Sequence, residues 1–453
     1  MSWNTELAHF LLSGGEHVSS PDLISTYGGG DVESIQKKKF ADFPEMLRLY
    51  TDIELPLAPI LRDMHEHGIL IDRTKMATLL EAYSVRRESL AKTITDVIGP
   101  CNLNSPKQLG TAIVDTLHIT LPKTKTGQYT TNYDALIPYA SIHTVIQNIL
   151  DHKSIDKVIH TYISPILEKL DASDRIHPLY DQMSAATGRL ASTDPNIQST
   201  PATGEYGEAI RSCFIAPKGS VLIALDYSQQ ELRILAHLSQ DATLRDAFAK
   251  GVDVHVLTAS EVLGIPVAQV GKAERNIGKT LNFGIVYGET AYGLSRQLSK
   301  SPEECTGILR RYFETYAGVK KYFDNLLIHA KLHGFVETIL GRRRGIPGQR
   351  LYATAKYIPA AGERILKNFP IQGSAADMTK AAMISTANDV LPSFPEAHLV
   401  MQIHDELVFE FSTTDETRIK DFITAAKSSM ERAIPLTVPV IVDAKAGQNW
   451  GEI

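Results

Sequence analysis

The sequence predicts an α+β fold in which a small set of strands lies among helices. Five aliphatic residues, 221–225, run without a break into Asp226, as in a buried strand that ends at a cleft. Residues 398–411 form two apolar runs around a His-Asp-Glu triplet, the pattern of an antiparallel hairpin with an acidic tip. Elsewhere, apolar residues recur at helical spacing, so we expect helices to separate these strands.

Composition places the chain among globular intracellular proteins. Of its 453 residues, 43% are hydrophobic and 22% charged, enough for about two or three cores. No window approaches the roughly 18 apolar residues of a membrane span, so we expect none. The first residues lack a basic region followed by an apolar core, so we expect no signal peptide. The three cysteines are far apart, which favours a reducing compartment: the cytoplasm of a bacterial or phage-infected cell, or else an organelle.

The net charge of −6 weighs against a nucleic-acid-binding protein unless positive charge is segregated on one surface. Basic clusters are present at 37–39, at Lys123 with Lys125, at 310–311 and at 342–344. Each cluster taken alone is better explained as an ordinary solvated face. Composition therefore does not identify a nucleic-acid partner, and any such assignment depends on the motifs.

The first part of the chain is predicted to be largely helical. Residues 7–12 suggest a short helix that ends at Gly14-Gly15. Apolar residues between 57 and 64 lie on one face of a second helix. Residues 102–109 indicate a turn followed by an N-capped helix, whose N-terminus and small polar side chains are good phosphate contacts. Residues 123–131 indicate a basic loop.

Asp226 has two interpretations. In the first, Ser228 is a helix N-cap and Glu231 completes a capping box, so that Asp226 merely ends a buried strand beside the next helix. The hairpin favours the second, because its tip carries three titratable residues where tight turns usually need Asn-Gly or Asp-Gly. Carboxylates that meet across adjacent strand ends repel each other unless cations lie between them. Paired divalent cations about 3.5–4 Å apart, held by the oxygen ligands that Mg²⁺ prefers, are the usual solution for displacement at phosphorus.

A third pattern lies between these strands. Arg275, Lys279, Phe283 and Tyr287 recur every four residues, and a helix would place them as a slowly drifting stripe along one face. Two cations followed by two aromatic rings are unusual for a core face. They suit a triphosphate at the cationic end and a base at the aromatic end. The alternative is an amphipathic helix whose long cationic side chains extend to solvent.

These three segments, in this order, resemble the polymerase motifs of family A DNA polymerases. Residues 226–233 resemble motif A, residues 275–288 motif B and residues 404–406 motif C. The resemblance extends from about Tyr50 to the C-terminus. It implies a right-hand polymerase architecture, with an antiparallel β-sheet in the palm and with mostly helical fingers and thumb.

The resemblance also implies a division into domains. Residues 1–50 faintly resemble the end of a 3′–5′ exonuclease domain or a linker, without the carboxylate motifs of that domain, so we expect no proofreading. Residues 447–450 resemble the family's usual C-terminus, so we expect the chain to be complete there. The other expected parts are a palm entry helix (51–66), a thumb (67–176), a palm segment with motif A (177–232), fingers with motif B (233–356) and a palm segment with motif C (357–453).

In this family two carboxylates bridge two Mg²⁺ ions, for which Mn²⁺ can substitute. The resemblance assigns this role to Asp226 and Asp405, with the Tyr227 carbonyl completing a shell and Glu406 in a secondary catalytic role. Lys279 is expected to supply a point charge and a proton to the leaving pyrophosphate.

The resemblance assigns further residues to deoxynucleoside triphosphates and to primer–template DNA. The expected nucleotide-binding residues are Gln229, Glu231, His255, Arg275, Lys279, Phe283 and Tyr287. The expected DNA-binding residues are Arg189, Asn196, Gln198, Arg364, Asn368, Gln372 and His404. Glu231 is the expected steric gate against a ribose 2′-hydroxyl, and Phe283 in place of Tyr implies discrimination against dideoxynucleotides. Arg342, Arg343 and Arg344 are expected to contact phosphate.

The chain departs from the family pattern at three positions. Gly278 stands where the family usually has Ala, and a glycine weakens a helix interior by roughly 1 kcal/mol. Asn276 stands where a second Arg is frequent, and Gln230 replaces a usual Ile. We hypothesise that Gly278 and Asn276 soften the motif B helix and reduce its positive potential, giving weaker nucleotide binding or lower fidelity.

The expected function is template-directed addition of deoxynucleotides to a primer 3′-hydroxyl by a monomeric enzyme. One alternative is a single-subunit, phage-type RNA polymerase, which the contexts of residues 228–231 and 404–406 disfavour. The other is a catalytically silent DNA-binding scaffold, which the presence of both metal-binding acids disfavours.

Overall fold

The computed structural model describes residues 2–453 and confirms an α+β fold in which helices predominate. The chain forms two compact units. The first unit consists of the residues up to His67 together with 180–192 and 219–446. The second consists of 68–179, 193–218 and 447–453. The domain boundaries expected from the sequence remain predictions.

Helices account for most of the regular structure. The α-helices are α1 (Thr5–Ser13), α2 (Ser20–Thr26), α3 (Val32–Ala41), α4 (Pro44–Arg48), α5 (Leu55–His67), α6 (Arg73–Ile98), α7 (Pro106–Leu117), α8 (Tyr133–Ala140), α9 (Thr144–Val158), α10 (Ser164–Glu168), α11 (Gly204–Arg211), α12 (Gln230–Ser239), α13 (Ala242–Ala249), α14 (Val254–Leu263), α15 (Lys272–Val286), α16 (Ala291–Leu298), α17 (Pro302–Thr315), α18 (Ala317–His333), α19 (Ala360–Ser385) and α20 (Glu416–Arg432). Short π-helical turns occupy Leu49–Glu54, Ile159–Ile163 and Thr386–Val390, and 3₁₀ turns occupy Val267–Gln269 and Leu391–Ser393.

The strands form one four-stranded sheet and three short two-stranded sheets. They are β1 (Ile69–Leu70), β2 (Arg175–Ile176), β3 (Leu179–Asp181), β4 (Ala191–Thr193), β5 (Val221–Tyr227), β6 (Phe335–Glu337), β7 (Arg343–Gly345), β8 (Ala397–Ile403), β9 (Glu406–Phe411) and β10 (Val442–Gly447). The strand order of the large sheet is β10-β5-β9-β8, and β5 and β8 each pair with β9 in antiparallel fashion.

Strand β5 forms from the aliphatic run that the sequence marks as a buried strand. Successive side chains of a strand point to opposite faces, so the odd-numbered residues 221–227 share one face, where they belong to the hydrophobic core. Asp226 is on the other face and is only partly buried. The strand therefore holds its carboxylate on the side of the sheet away from this core.

The predicted hairpin is confirmed. Ile403 of β8 pairs with Glu406 of β9, which leaves a two-residue turn of His404 and Asp405. His404 has a φ of 57°, the left-handed conformation that tight hairpin turns require and that glycine adopts most easily. In β8 the register shifts between Leu399 and residue 401, so this strand carries one extra residue in a bulge.

Three helices cover the core face of the large sheet. Leu57 of α5, Met378 of α19 and Phe422 of α20 pack with Phe409 of β9 in one buried cluster. The face of α5 predicted from its apolar spacing is the one that is buried. This packing holds the strands that carry the acidic residues on a rigid support.

A second core of the first unit is built from helices. It joins Leu232 of α12, Val254 of α14, Leu281 of α15 and Phe323 of α18, among other residues. Helix α15 contributes its buried face to this core, and that choice determines which of its residues remain accessible.

The second unit has a helical core of its own. Ile94 of α6, Leu109 of α7, Leu136 of α8 and Ile149 of α9 belong to one buried cluster. The N-cap predicted before α7 is confirmed, because Ser105 accepts a hydrogen bond from the Gln108 backbone N–H.

The last residues of the chain belong to the second unit. Residue 215 forms a β-bridge with Asn449. The Trp450 ring is fully buried, packs edge-on against Phe214 at 5.2 Å and lies beneath the Arg211 guanidinium.

The N-terminal segment has a small core of the first unit, which includes Leu7, Leu11 and Phe40. Helix α1 ends at Gly14, whose φ of 77° is the left-handed conformation of a helix C-cap, as its sequence predicts. Among residues 2–453, none of the helices combines the length and apolar character needed to cross a membrane.

The alternative interpretation, in which Ser228 begins a capping box, is not borne out by the structure. Helix α12 begins at Gln230, and Gln229, its N-cap residue, has a φ of 54° and makes no capping bond with its side chain. This left-handed residue reverses the chain, so the Ser228 carbonyl oxygen accepts a 2.7 Å hydrogen bond from Arg233 Nε. The Glu231 side chain is thereby left for a different partner.

Candidate active site

Acidic residues from two distant segments meet at one end of the β5–β9 ladder. Asp226 lies directly opposite Glu406 in the strand register. The Tyr227 N–H donates a 3.3 Å hydrogen bond to the Asp405 carbonyl oxygen. The structure therefore brings the acids of predicted motifs A and C together.

The acids are close enough to repel one another. Burial raises the pKa of Asp226, and repulsion from Asp405, Glu406 and Asp443 raises it further, to about 7, against a small opposing effect of Lys445. The pKa of Asp405 is also raised, mainly by burial. A pair of carboxylates in this situation is stabilised by a cation, which removes the repulsion between the charged forms.

The donor set fits Mg²⁺. Among residues 2–453, no cluster of three or more His, Cys, Asp or Glu side chains is arranged to hold a metal ion. The candidate ligands are instead the two carboxylates of Asp226 and Asp405 and the backbone carbonyl of Tyr227, all hard oxygen atoms. Mg²⁺ is commonly held by one or two carboxylates while water and substrate phosphates fill its remaining positions.

Glu231 is the centre of a cluster next to the acids. Its side chain is mostly buried and accepts a 2.7 Å hydrogen bond from Arg189 Nη2. The Tyr287 hydroxyl is hydrogen-bonded to the same carboxylate. Burial raises the pKa of Glu231, and repulsion from Asp405 raises it further. Attraction to Arg189 lowers it, but by less than burial raises it. Three residues that the sequence places at the nucleotide or the DNA are thus in direct contact.

Helix α15 displays the predicted stripe. Arg275 and Phe283 are partly buried, Lys279 and Tyr287 are exposed, and all four lie away from the buried face of the helix. Tyr287 is the C-cap residue, one position beyond the last helical residue. The cationic and aromatic side chains therefore face outward together, as the four-residue spacing predicts.

The cationic end of α15 lies beside the start of α14. Arg275 Nε donates a 2.8 Å hydrogen bond to Asp253, the N-cap residue of α14, while the Arg275 side chain stays 42% exposed. His255 is buried, and its ring centroid is 5.9 Å from that of Phe283. Burial lowers the pKa of His255, with Asp253 raising it and Arg275 and Lys279 lowering it.

Gly278 has a different role from the one that the sequence suggests. A Cβ atom at this position would lie 2.0 Å from the His255 carbonyl oxygen, far inside any real contact. Gly278 therefore allows α14 and α15 to approach each other, a packing role that its helix propensity does not reveal, while the expected effect of Gly278 and Asn276 on nucleotide binding or fidelity stays a prediction. No property of residues 275–288 alone contains this information, because the contact is made with another helix.

Three predicted DNA-binding residues share a side of α19. Arg364 is exposed, and Asn368 and Gln372 are partly buried, whereas Leu366 and Phe369 between them are buried. Asn368 Nδ2 donates a 3.2 Å hydrogen bond to the Val286 carbonyl at the end of α15.

The remaining predicted residues are dispersed. Gln229 has its Oε1 atom buried without a hydrogen-bond partner within residues 2–453. His404 is exposed on the hairpin turn, where its carbonyl accepts a 2.5 Å hydrogen bond from Gln402 Nε2. Asn196 and Gln198 belong to the second unit, and the Asn196 side chain accepts a hydrogen bond from the Ser199 N–H.

The predicted phosphate contact at residues 342–344 is wrong for Arg342. This side chain is 2% exposed and forms ion pairs with Glu54 and Asp377, the latter at 2.7 Å, in the interior of the first unit. Lys380 completes the cluster at 2.7 Å from Glu54. The carboxylates of Glu54 and Asp377 neutralise Arg342 and Lys380 in the interior, so Arg342 is not a surface charge.

The two neighbouring arginines also have protein partners. Arg343 lies over the rings of Phe43 and Phe335 and pairs with Glu337 at 3.1 Å. Arg344 Nη1 donates a 3.1 Å hydrogen bond to the Gly14 carbonyl.

Sequence analysis missed two charged residues at the acidic site. Asp443 and Lys445 lie on β10, the strand next to β5, and both act on the charge of Asp226. Strand β10 has no apolar run to mark it, since three of its residues are exposed. The local sequence signal is the alternation of Val442, Asp443, Ala444 and Lys445, which is typical of a strand with one solvated face.

The chain is similar to known proteins in sequence and in structure. Residues 73–452 match the family model described as DNA polymerase family A. The chain is 37% identical over 450 residues to DNA polymerase I of Caldicellulosiruptor bescii, covering 95% of this chain and 52% of that protein. It is 37% identical over 442 residues to DNA polymerase I of Bacillus subtilis (strain 168), covering 96% and 50%.

A solved structure is also similar. The POL domain of Pol1 from M. smegmatis, in complex with DNA primer-template and dNTP, has a TM-score of 0.92 and 34% identity, covering 99% of this chain and 82% of that one. The chain spans about half the length of the full-length relatives that it matches. The family match covers most of the sequence, and the chain therefore belongs to DNA polymerase family A.

Proposed function

We propose that this chain is a DNA-directed DNA polymerase, which adds deoxynucleotides to the 3′-hydroxyl of a template-paired primer. The observation that carries the proposal is the meeting of Asp226 and Asp405 at the end of the β5–β9 ladder, in the same unit as the cationic and aromatic face of α15. The similar POL domain was crystallised with primer-template and dNTP, which supports the same two substrates here.

Asp226, Asp405 and the Tyr227 carbonyl would hold two Mg²⁺ ions. When bound, such ions favour the ionised primer hydroxyl and neutralise charge on the phosphates. The protein side of the reaction is positioning. The two aspartates orient the reacting ends at the sheet, and their mutual repulsion makes the site selective for cations.

The outward face of α15 binds the incoming nucleotide. Arg275 forks onto phosphate oxygens, and Lys279 binds the leaving pyrophosphate and gives it a proton. Phe283 and Tyr287 stack against the base and sugar. His255, at the start of α14, adds a hydrogen bond to the triphosphate.

Glu231 selects the sugar. Its carboxylate is held between Arg189 and Tyr287, so it cannot swing away from an added hydroxyl group at the ribose 2′ position. Arg189, Arg364, Asn368, Gln372 and His404 contact the primer–template duplex, joined by Asn196 and Gln198 of the second unit. Amide and guanidinium donors read minor-groove acceptors that every paired base offers, which checks pairing without reading sequence.

We assign the parts of the chain accordingly. Residues 177–232 and 357–453 form the palm, which residues 51–66 enter. Residues 233–356 form the fingers and residues 67–176 the thumb.

Primer extension tests the proposal directly. The wild-type chain should extend a labelled primer on a template when Mg²⁺ and deoxynucleotides are present, and should stop when the metal is chelated. Asp405→Ala should abolish extension while duplex affinity is retained, because it removes a metal ligand and not a DNA contact. Extension by the Asp405→Ala variant at the wild-type rate would refute the proposal. Preferential use of ribonucleotides would indicate an RNA polymerase instead.

A further inference from the structure

Asn282 is a fully buried polar residue on the core face of α15. Its amide contacts three groups outside α15. Nδ2 lies 3.1 Å from His255 Nδ1 and 3.5 Å from the Val254 carbonyl oxygen. Oδ1 lies 3.1 Å from the Thr258 hydroxyl, which donates to it.

These contacts determine where the protons are. A carbonyl oxygen only accepts hydrogen bonds, so the end of the amide that faces Val254 must be the NH₂ group. The same NH₂ group faces His255 Nδ1, which must therefore accept. In a neutral imidazole whose Nδ1 accepts, the proton is on Nε2.

The chain of hydrogen bonds continues in the same direction. The Thr258 proton is used toward Asn282, so the Tyr316 hydroxyl, 2.8 Å from Thr258, is the donor in their contact. Tyr316, Thr258, Asn282 and His255 are all buried, which protects the order of donors from exchange with water.

The other ring nitrogen of His255, Nε2, has no hydrogen-bond partner within residues 2–453. His255 Nε2 is not one of the fully buried side-chain polar atoms that lack a partner within residues 2–453, so the protein does not enclose it completely. In the described part of the chain, the ring's only hydrogen bond is the one at Nδ1. The charged groups that act on the ring are Asp253 at the start of α14 and Arg275 and Lys279 on α15. Nε2 is therefore accessible beside the cationic end of α15.

The backbone beneath the ring is equally constrained. Gly278 lies one helical turn before Asn282, and its lack of a side chain lets α15 pack against the His255 carbonyl. The two contacts, backbone and side chain, hold the same residue of α14 from the same face of α15.

We propose that Asn282 is a positioning residue that fixes His255 as a neutral Nε2–H donor to the triphosphate of the incoming nucleotide. The donor is present whether or not the ring is charged, because the amide dictates the tautomer. This inference rests on the proposed function for its ligand, whereas the tautomer itself can be measured without any substrate.

The first experiment is nitrogen NMR of the wild-type protein labelled with ¹⁵N-histidine, with the His255 signals assigned by their loss in His255→Gln. The protonated nitrogen should be Nε2 near neutral pH. A proton on Nδ1 would overturn the inference whatever the catalytic activity. Absence of primer extension would instead refute the proposed function and leave the tautomer result standing.

The second experiment separates positioning from a merely structural role. Asn282→Asp replaces the NH₂ donor by an acceptor, so Nδ1 must carry a proton. At acid pH the ring carries both protons, so the nucleotide KM of this variant should be near the wild-type value. At alkaline pH the ring loses the Nε2 proton, and KM should rise about tenfold because one hydrogen bond to a charged group is lost. The wild-type KM should stay flat over the same range, and kcat should change little in both.

A double-mutant cycle provides the control. In a His255→Ala background, the change from Asn282 to Leu should add no more than about twofold to KM, because the group that Asn282 positions is already gone. An equal increase in both backgrounds would show that Asn282 acts through the fold and not through His255. If Asn282→Leu does not fold, Thr258→Val, which keeps the side-chain volume, takes its place in the cycle.

Discussion

The absence of one methyl group determines how closely two helices of the site approach. At Gly278 a Cβ atom would lie 2.0 Å from the His255 carbonyl oxygen and 3.0 Å from the Ala259 nitrogen, so α14 would have to move. Helix propensity, which favours alanine at such a position, is outweighed here by a contact between helices.

Gly278→Ala should therefore destabilise the protein by about 1–3 kcal/mol, the usual cost of overpacking, and should raise nucleotide KM because His255 is displaced. Urea unfolding and steady-state kinetics, including misinsertion, measure both effects. Gly307→Ala is the matched control, since a Cβ atom there meets nothing within 4 Å on α17. It should be neutral or stabilising by up to about 1 kcal/mol. Unchanged KM and stability in Gly278→Ala would contradict the packing argument.

Sugar selection is a second property of single residues. Glu231→Ala removes the carboxylate held by Arg189 and opens space beside Tyr287. The ratio of kcat/KM for deoxynucleotides to that for ribonucleotides should fall by roughly 10- to 100-fold, as for a contact of a few kcal/mol. Single-nucleotide insertion with both substrates measures it. If the ratio stays at the wild-type value, the gate is elsewhere.

At the scale of elements, a buried charge cluster connects distant parts of the first unit. Glu54, which ends the π-helical turn before α5, pairs with Arg342 after β6 and with Lys380 of α19. Gln182 Nε2 donates to the Glu54 carboxylate at 2.7 Å. Burial opposes the charge on Glu54, but Lys380 and Arg342 outweigh it and lower its pKa to about 2.

Removing Glu54 from this cluster leaves Arg342 and Lys380 with the single carboxylate of Asp377, and therefore one buried positive charge without compensation. Glu54→Gln should destabilise the protein by about 3–5 kcal/mol at neutral pH, as for breaking a buried ion pair. Asp324→Asn, which breaks the exposed pair with Lys320, should cost less than about 1 kcal/mol.

The effect of Glu54→Gln should depend on pH with a definite sign. The folded pKa is below the unfolded one, so the stabilisation is fully present above the ordinary pKa of 4.5 and is lost as pH falls toward 2. Urea unfolding of the wild type and of Glu54→Gln between pH 7 and pH 3 measures the difference in their free energies of unfolding. This difference should become smaller below about pH 4.5. A difference in unfolding free energy that grows toward acid pH would contradict the conclusion that Glu54 is ionised in the folded protein.

Sequence reasoning succeeded for elements whose pattern is local. Strand β5 and the β8–β9 hairpin follow from short apolar runs, and the outward stripe of α15 follows from the four-residue spacing of its cationic and aromatic residues. It failed where the deciding contact is distant in sequence. Arg342 is drawn into the interior by Glu54, almost 300 positions away, and the packing role of Gly278 depends on a carbonyl oxygen of α14.

At the scale of the whole molecule, the charge balance sets a condition on DNA binding. A chain with net charge −6 binds a polyanion only through local positive surfaces. With Arg342 buried and its two neighbours bonded to protein groups, the basic loop of the second unit becomes the better candidate. Lys123 and Lys125 are both exposed there, and Lys123 lies 4.7 Å from the Tyr129 ring centroid.

Replacing Lys123 and Lys125 by glutamine should weaken binding to any duplex sequence and lower the slope of log affinity against log salt by about 2. Fluorescence anisotropy with a labelled primer–template over a salt series measures this slope. The same change at Lys320 and Lys321, which are also exposed and lie on α18, should leave this slope unaltered. An identical decrease for both pairs would show a non-specific effect of net charge.

The bulge in β8 affects which single-residue deletions and insertions the two strands of this hairpin can accept. Because residue 400 is the surplus position between two regular stretches of the ladder, its deletion would straighten the strand and leave the pairing of Ile403 with Glu406 intact. Strand β9 has no bulge that could absorb an inserted residue. An insertion there would shift the register by one residue and carry Asp405 to the opposite side of the sheet. The two arms of this hairpin thus differ in the indels that they tolerate, although they are nearly equal in length.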